Sequence, residues 1–546
     1  MENFERNLGE RFGKTTEKTS WSDYLTGSQL ILLLAILLLG ILVRVVGIAN
    51  APRGFNQDEA SAGYDAFAIA KYGIDRNGMH NPVHLIAWGS GQNAAYSWLC
   101  MPFIALLGLS VWSVRLPMAL VGCVSLVIFY FLLKNIHREN KAFVLLGTFL
   151  FAIFPWHIMK SRWGLESNLF PDLVLWGTFL LSQYLRKKKS GYLYTSMFLF
   201  GFSAYSYGSA YCFLPFFVLP VGICLLLRKK VTWKQALLCA LVLGVTVLPI
   251  LLFVFINTFD YPQIELGVLT IPRLYVNRHT EVASVFSGNI LKNSWENFRK
   301  ALRVLVTQKD YGLWNAMDFF GIFYPISVPL ALWGLVVCFS RYRQRNKDGM
   351  EYLMDIWLAA SVVLMFVVEP NINRLNISLI PWLYYTAVGV SNITGHFKHG
   401  TKAFAAVYAV FFLLFGRAYF TEYQEQIQHT FYVGLGDTIT QALQTDADRI
   451  YITDRTDKSY IFALFYGQTD PHVYRATVRY RTSHVDFEEV ASFDRYVFGL
   501  PETVDPEENA VYVLYQPELG KFPEDEFEMT EWGDFALAVP RARGEK

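Results

Sequence analysis

Charged residues are scarce in this chain of 546 residues: they make up 17% of it, against roughly 25% in soluble proteins. The hydrophobic fraction is 53% and the aromatic fraction 16%. This composition excludes an ordinary soluble globular protein and predicts one that lies mostly in lipid. The net charge is only +2, which gives no basis for a nucleic-acid partner.

Cysteine pairs are also missing. Six cysteines occur, all within apolar stretches and none in a CxxC pair, so we interpret them as core residues rather than as disulfides or metal ligands. No small-residue cleavage site follows the first apolar run, which is therefore predicted to be a retained anchor.

Long apolar runs are abundant. About 20 helical residues cross the hydrocarbon layer, and eleven spans of about that length are predicted near 29–48, 112–133, 142–157, 168–185, 192–208, 211–227, 235–256, 319–339, 353–368, 375–393 and 403–419. The stretch Ala94–Leu109 is ambiguous because it is short and contains Pro102. We predict that it lies along the surface as an interfacial helix, because the basic short loops then all face the cytoplasm, as the positive-inside rule requires.

This topology divides the chain. Residues 1–27 are a cytoplasmic segment, 28–420 an all-α polytopic domain, and 421–546 a small extracytoplasmic α/β domain. Within the polytopic domain, loops 50–110 and 257–318 face outward. In the tail, periodicity predicts helices at 435–443 and 457–466, and strands at 449–453, 510–515 and 535–539.

The strongest chemical signal is the adjacent carboxylates Asp58 and Glu59, just beyond the first span. Such a pair at a membrane face indicates acid/base or metal chemistry on a substrate delivered by the membrane. The alternative is that Asp58, at a predicted helix start, only caps the helix or interacts with its dipole. Tyr64 lies on the same predicted helix and is a further site candidate.

Other outer segments carry candidate cations. Arg162 and Glu166 lie in one turn, where an i,i+4 ion pair is the simpler explanation. Arg278 and Arg374 could bind a phosphate through the planar guanidinium fork, with a solvated loop charge as the alternative for Arg278.

Histidines are the candidate metal ligands. His80, His84, His157 and His279 fall in outer segments and could join a carboxylate around a divalent cation, but no HxxxH or HExxH spacing supports this. A metal site therefore stays an open alternative.

Three motifs together resemble a known family: Asp58-Glu59, Arg115-Leu116-Pro117, and Asn371 to Asn376. They resemble the C-type (GT-C) membrane glycosyltransferases, in particular the family 39 protein O-mannosyltransferase-like group and the lipid A aminoarabinose transferases. The resemblance covers most of residues 28–420. The long outer loop is too short for the β-trefoil insertion of the eukaryotic protein mannosyltransferases.

The resemblance implies an inverting enzyme that moves a sugar from a polyprenyl-phosphate donor to a hydroxyl acceptor on an envelope glycan, lipid or protein. Asp58 would be the catalytic base and Glu59 its supporting carboxylate, with Arg278, Arg374 and Arg162 near the donor phosphate. A bacterial plasma membrane is the expected location. The alternative is a transporter or flippase of a lipid-linked sugar, although the sequence contains no related halves.

Overall fold

The computed structural model describes residues 24–541 apart from 90, 277–288, 341, 343–348 and 486. Its first part is helical. The helices are α1 Gly27–Val45, α2 Gln57–Tyr72, α3 Ala95–Leu107, α4 Val111–Ile136, α5 Lys141–Ile153, α6 Pro155–Lys160, α7 Glu166–Lys187, α8 Ser190–Phe202, α9 Ser209–Leu227, α10 Trp233–Thr258, α11 Ile290–Thr307, α12 Ser327–Ser340, α13 Tyr352–Val367, α14 Ile372–Leu375, α15 Leu379–Thr394 and α16 Gly400–Phe420. Short strands β1 His84–Leu85, β2 Gln92–Asn93, β3 Ile264–Glu265 and β4 Thr270–Ile271 lie in the two long loops.

In the part of the chain that the structure describes, five helices are long and apolar enough to cross a membrane: α1, α4, α9, α10 and α16. Shorter apolar helices include α3, α5, α12 and α13. Each predicted span contains a helix, but the count of eleven stays a prediction, as does the interfacial placement of α3. Two of the predicted bounds were wrong. The helix predicted at 142–157 breaks between Ile153 and Pro155, and the one predicted from 319 begins at Ser327.

The tail contains short helices and a mixed sheet. The helices are α17 Glu422–Ile427, α18 Leu435–Ala442, α19 Ser459–Gly467 and α20 Pro471–Thr477, and the strands are β5 Arg449–Ile452, β6 Arg479–Thr482, β7 Glu489–Phe493, β8 Tyr496–Phe498, β9 Ala510–Tyr515, β10 Phe527–Trp532 and β11 Phe535–Pro540. The sheet order is β10-β11-β9-β5-β8-β7-β6, with β5 parallel to β8 and β9. All five elements predicted for the tail are confirmed.

The tail packs directly on the first long loop. The Phe55 and Phe465 rings lie 4.7 Å apart, the Phe55 amide donates to the Phe431 carbonyl at 2.6 Å, and the Tyr64 hydroxyl donates to the Thr469 carbonyl at 2.7 Å. Gly63 permits the approach of α19 to α2, because a Cβ there would lie 2.9 Å from the Phe465 ring. The loop and the tail therefore form one wall above the helices.

Candidate active site

Asp58 occupies the second position of α2, and its side chain is not needed to cap that helix. The cap is Asn56, whose side chain accepts from the Asp58 amide at 2.9 Å, while Glu59 completes a capping box from the third position. At the other end Gly73, with φ of 77°, terminates the helix. The Asp58 carboxylate is thus available for other contacts.

That carboxylate lies at the wall of a cavity of about 430 Å³. The wall combines the first long loop with the start of α2, the turn that leads into α7, the segments before α9 and α12, helix α14, and the tail. Its lining residues are Asn56, Gln57, Asp58, Trp88, Gly91, Gln92, Trp163, Leu165, Glu166, Tyr207, Trp314, Asn373, Thr430, Tyr432, Asp457, Lys458 and Phe487. A volume of this size accommodates a small organic group such as a sugar ring.

The surroundings raise the pKa of Asp58 to about 6. Burial contributes most, because protein replaces the water that would solvate the ionised form. The negative charge of Asp457 raises the pKa further, the Trp88 side chain opposes the shift with a hydrogen bond, and the charge of Glu59 adds a smaller increase. A carboxylate with this pKa is ionised at neutral pH and is basic enough to accept a proton.

Three lining side chains present hydrogen-bond acceptors that have no partner among the residues that the structure describes. These are Gln57 Oε1, Glu166 Oε2 and Asn373 Oδ1. Glu166 accepts from the Asn93 amide, and Asp58 is close enough for the two carboxylates to repel. Since buried polar atoms are normally satisfied, the cavity is suited to a ligand rich in hydroxyl or other N–H and O–H donors.

Glu59 has a different environment from Asp58. Its two oxygens accept from Arg115 Nε at 2.8 Å and Arg115 Nη2 at 2.7 Å, and Oε1 also accepts from the Gly164 amide at 2.8 Å. Both side chains of the pair are fully buried. Glu59 therefore fixes the loop to α4 and to the turn before α7, while only its charge acts on Asp58.

The predicted phosphate-binding arginines separate into three cases. Arg374, 21% exposed, donates to the Glu369 carbonyl at 2.9 Å and to Tyr207 of the cavity wall. Arg162 is buried and donates to the carbonyls of Val43 and Val46 at the end of α1 and of Ala51 in the loop that follows, so its position favours a structural role over phosphate binding. Arg278 lies outside the described residues.

The remaining candidates lie apart from the cavity or cannot be placed. Tyr64 is engaged with the tail through Thr469. His84 stacks on Phe253 with the ring centroids 4.4 Å apart, and its Nδ1 lies 3.1 Å from the Leu85 carbonyl. His279 lies outside the described residues. Among the residues that the structure describes, no three His, Cys, Asp or Glu side chains form a metal-ligand group, and the divalent cation stays a prediction.

Sequence reasoning did not identify the residues of the tail that line the cavity. Asp457, Lys458 and Phe487 line the cavity, and the Lys458 ammonium donates to the Phe487 carbonyl at 2.8 Å. Asp457 was visible only as the start of a predicted helix, almost 400 residues away from Asp58. Trp88 was missed as well, since a tryptophan in an apolar loop gives no signal of a hydrogen bond to a carboxylate.

Comparison with solved structures identifies the architecture. ArnT from Cupriavidus metallidurans bound to undecaprenyl phosphate is 14% identical, with a TM-score of 0.54 over 95% of this chain and 99% of that chain. The chain has the GT-C fold. The same enzyme in the apo state gives a TM-score of 0.51 at 13% identity, covering 94% of this chain and 97% of that one.

A second GT-C structure is similar over part of its length. The oligosaccharyltransferase of Archaeoglobus fulgidus, tethered with an acceptor peptide, is 13% identical with a TM-score of 0.51 over 82% of this chain. The chain spans only 63% of the length of that archaeal protein. Residues 94–256 also match the family model of dolichyl-phosphate-mannose-protein mannosyltransferases. No curated protein sequence matches the chain.

Proposed function

We propose that this GT-C protein is a glycosyltransferase that moves a sugar from a polyprenyl-phosphate donor to a hydroxyl acceptor at the outer face of a plasma membrane. The observation that carries the proposal is the Asp58 carboxylate, with a pKa of about 6, at the wall of a cavity lined by unsatisfied acceptors. The undecaprenyl phosphate bound to ArnT supports the choice of donor.

In the proposed reaction Asp58 accepts the proton of the acceptor hydroxyl while the hydroxyl oxygen attacks the anomeric carbon. The bond from that carbon to the phosphate oxygen breaks, and the lipid phosphate leaves with the bonding electron pair. Attack and departure on opposite faces of the sugar invert its configuration. A phosphate is a good leaving group, so cations that stabilise its charge replace a general acid.

Arg374 is the described residue that we propose for the leaving phosphate. Arg374 is partly exposed, bonds Tyr207 of the cavity wall and directly follows the lining residue Asn373, so its guanidinium lies close to the cavity. Arg278 belongs to the proposal on sequence grounds alone. The unsatisfied oxygens of Gln57, Glu166 and Asn373 are suited to the hydroxyl groups of the transferred sugar.

The loss of kcat/KM at low pH should reflect the protonation of Asp58. Below about pH 6 the carboxyl is protonated and cannot accept a proton, so kcat/KM should fall about tenfold per pH unit there and level off above it. Replacing Asp457 by Asn removes a charge that raises the pKa of Asp58, and this loss should move to lower pH. The exposed Asp446→Asn change in the same part of the chain is the control. If Asp457→Asn leaves the pH dependence of kcat/KM unchanged, the charge of Asp457 does not act on Asp58.

Arg374→Ala should raise KM for the donor about tenfold or more, because a charge-assisted bond to phosphate contributes about 1.5–3 kcal/mol. Steady-state kinetics with varied donor and fixed acceptor measure the effect. Lys309→Ala removes a cation from an exposed pair with Asp318 and should leave KM unchanged. Equal donor KM in Arg374→Ala and the wild type would remove this residue from the phosphate site.

Catalysis and transport are distinguished by one experiment. Proteoliposomes that contain the purified protein receive a polyprenyl-phosphate sugar labelled in the sugar, and the lipid and aqueous or acceptor fractions are separated over time. A glycosyltransferase moves the label from the lipid to a hydroxyl acceptor and leaves polyprenyl phosphate. Label that changes leaflet but stays on the lipid would establish a flippase and overturn the proposal.

A further inference from the structure

Helix α11, Ile290–Thr307, has three distinct faces. With 3.6 residues per turn, its side chains divide into a packed face, an exposed apolar face and an exposed charged face. Asn297, Ala301 and Leu305 are buried against the protein. The helix therefore rests on the bundle with one side and leaves two neighbouring sides uncovered.

The uncovered apolar face is a continuous stripe within about 60° of the helix circumference. Leu291 is 85% exposed, Trp295 55%, Leu302 41% and Val306 60%. Four large apolar side chains on one side of a single helix are costly in water. Such a stripe next to a charged row is typical of helices that lie in the plane of a membrane boundary.

The charged face is strongly basic. Lys292, Arg299, Lys300 and Arg303 project from it, with Glu296 as the one acidic residue of the helix. All four basic residues are exposed, and the Lys292–Glu296 pair is long, at 4.0 Å. This row has a net charge of about +3, which complements the phosphates of anionic lipid headgroups.

Two contacts place α11 beside the membrane bundle and near the cavity. The Phe298 ring stacks on Phe366 of the apolar helix α13, with the centroids 4.3 Å apart. The Lys300 ammonium lies 3.4 Å from Glu369, which also holds Arg374 at 3.8 Å. The basic row thus reaches Glu369 and Arg374, and Arg374 directly follows Asn373 of the cavity wall.

We propose that α11 lies in the membrane boundary on the cavity side and that its basic row binds anionic phospholipids of that leaflet. The apolar stripe enters the acyl region, and Lys292, Arg299 and Arg303 contact headgroup phosphates. The occupant is an anionic phospholipid such as phosphatidylglycerol. This inference does not depend on the proposed function, since lipid binding is measured without sugar transfer.

The test uses the full-length protein in detergent, with phosphatidylglycerol or phosphatidylcholine added and bound lipid counted by native mass spectrometry. The triple variant Lys292→Gln, Arg299→Gln, Arg303→Gln keeps Lys300 and its contact with Glu369. Each Lys or Arg near an anionic surface increases the binding affinity roughly fivefold, so the loss of three such residues should lower the phosphatidylglycerol affinity at this site roughly 100-fold. Phosphatidylcholine binding should not change, and added salt should weaken only the wild-type complex.

The matched control removes three exposed cations from the tail: Arg479→Gln, Lys521→Gln and Arg541→Gln. Equal loss in the control, equal affinity for the two lipids, or full retention by the triple variant would each overturn the proposal. A local readout is the emission of Trp295, taken as the difference between the wild type and Trp295→Phe. Dibrominated phosphatidylglycerol should quench it more than dibrominated phosphatidylcholine, and equal quenching contradicts anionic selectivity.

Discussion

Replacing Asp58 by Asn is expected to reduce sugar transfer by about 10²–10⁴-fold, the usual contribution of a general base. The amide has nearly the same size and can still accept the hydrogen bond from Trp88, but it cannot take the proton of the acceptor hydroxyl. The loss should fall on kcat more than on the donor KM, because the group acts in the transition state. Single-turnover transfer from a labelled polyprenyl-phosphate sugar measures it.

Two comparisons make this result specific. Binding of polyprenyl phosphate to the Asp58→Asn protein should equal that of the wild type, which shows that the cavity is intact. Asp446→Asn, an exposed residue of the tail, should transfer normally. Transfer by Asp58→Asn at the wild-type rate would end the assignment of Asp58 as the base.

Arg115→Met is expected to destabilise the protein severely. Arg115 is fully buried, and besides its two bonds to Glu59 it donates to the carbonyls of Pro52 at 2.7 Å and Gly54 at 2.9 Å. Methionine would leave the Glu59 charge buried without its partner, which costs about 3–5 kcal/mol. The midpoint of thermal unfolding of the purified protein should drop by several degrees or more.

Arg115→Lys should lie between the wild type and Arg115→Met, because an ammonium keeps the charge but loses the fork that reaches both oxygens. Lys309→Met, which removes one member of an exposed pair, should leave the midpoint almost unchanged. An unchanged midpoint for Arg115→Met would show that the Glu59–Arg115 pair does not hold the loop in place.

Much of the fold follows from local signals in the sequence. Hydrophobic length predicted a helix at each apolar run, and period-two patterns predicted β5, β9 and β11 in the tail. The strands β6, β7, β8 and β10 escaped prediction. β6 is exposed throughout and pairs with β7 in an irregular register between Arg479 and Thr482, β8 is only three residues long, and β10 is mostly exposed. The predicted bounds of the helix at 142–157 were wrong at Pro155, because this proline begins the separate helix α6 instead of continuing α5.

The site was predictable only where its parts lie close in sequence. Asp58 and Glu59 were conspicuous as neighbours, yet their environments differ completely. Arg115, which lies 56 residues farther along the chain, forms an ion pair with Glu59, whereas Asp58 lies at the cavity wall. Arg162 stays a predicted phosphate ligand, but it donates to the carbonyls of Val43 and Val46 at the end of α1 and to that of Ala51 in the following loop. Contacts of this kind depend on tertiary packing, which spacing does not encode.

The placement of the tail has a consequence for biosynthesis. The ribosome synthesises the tail after all the long apolar helices. Three tail residues nevertheless line the cavity beside Asp58: Asp457, Lys458 and Phe487. In a nascent chain that has only its helices in place, this side of the cavity is therefore open to water. Solvation by that water would bring the pKa of Asp58 back towards its ordinary value. We therefore expect Asp58 to acquire its full proton affinity only after residues 421–541 have folded against the first long loop, and we expect partly made copies to be inactive.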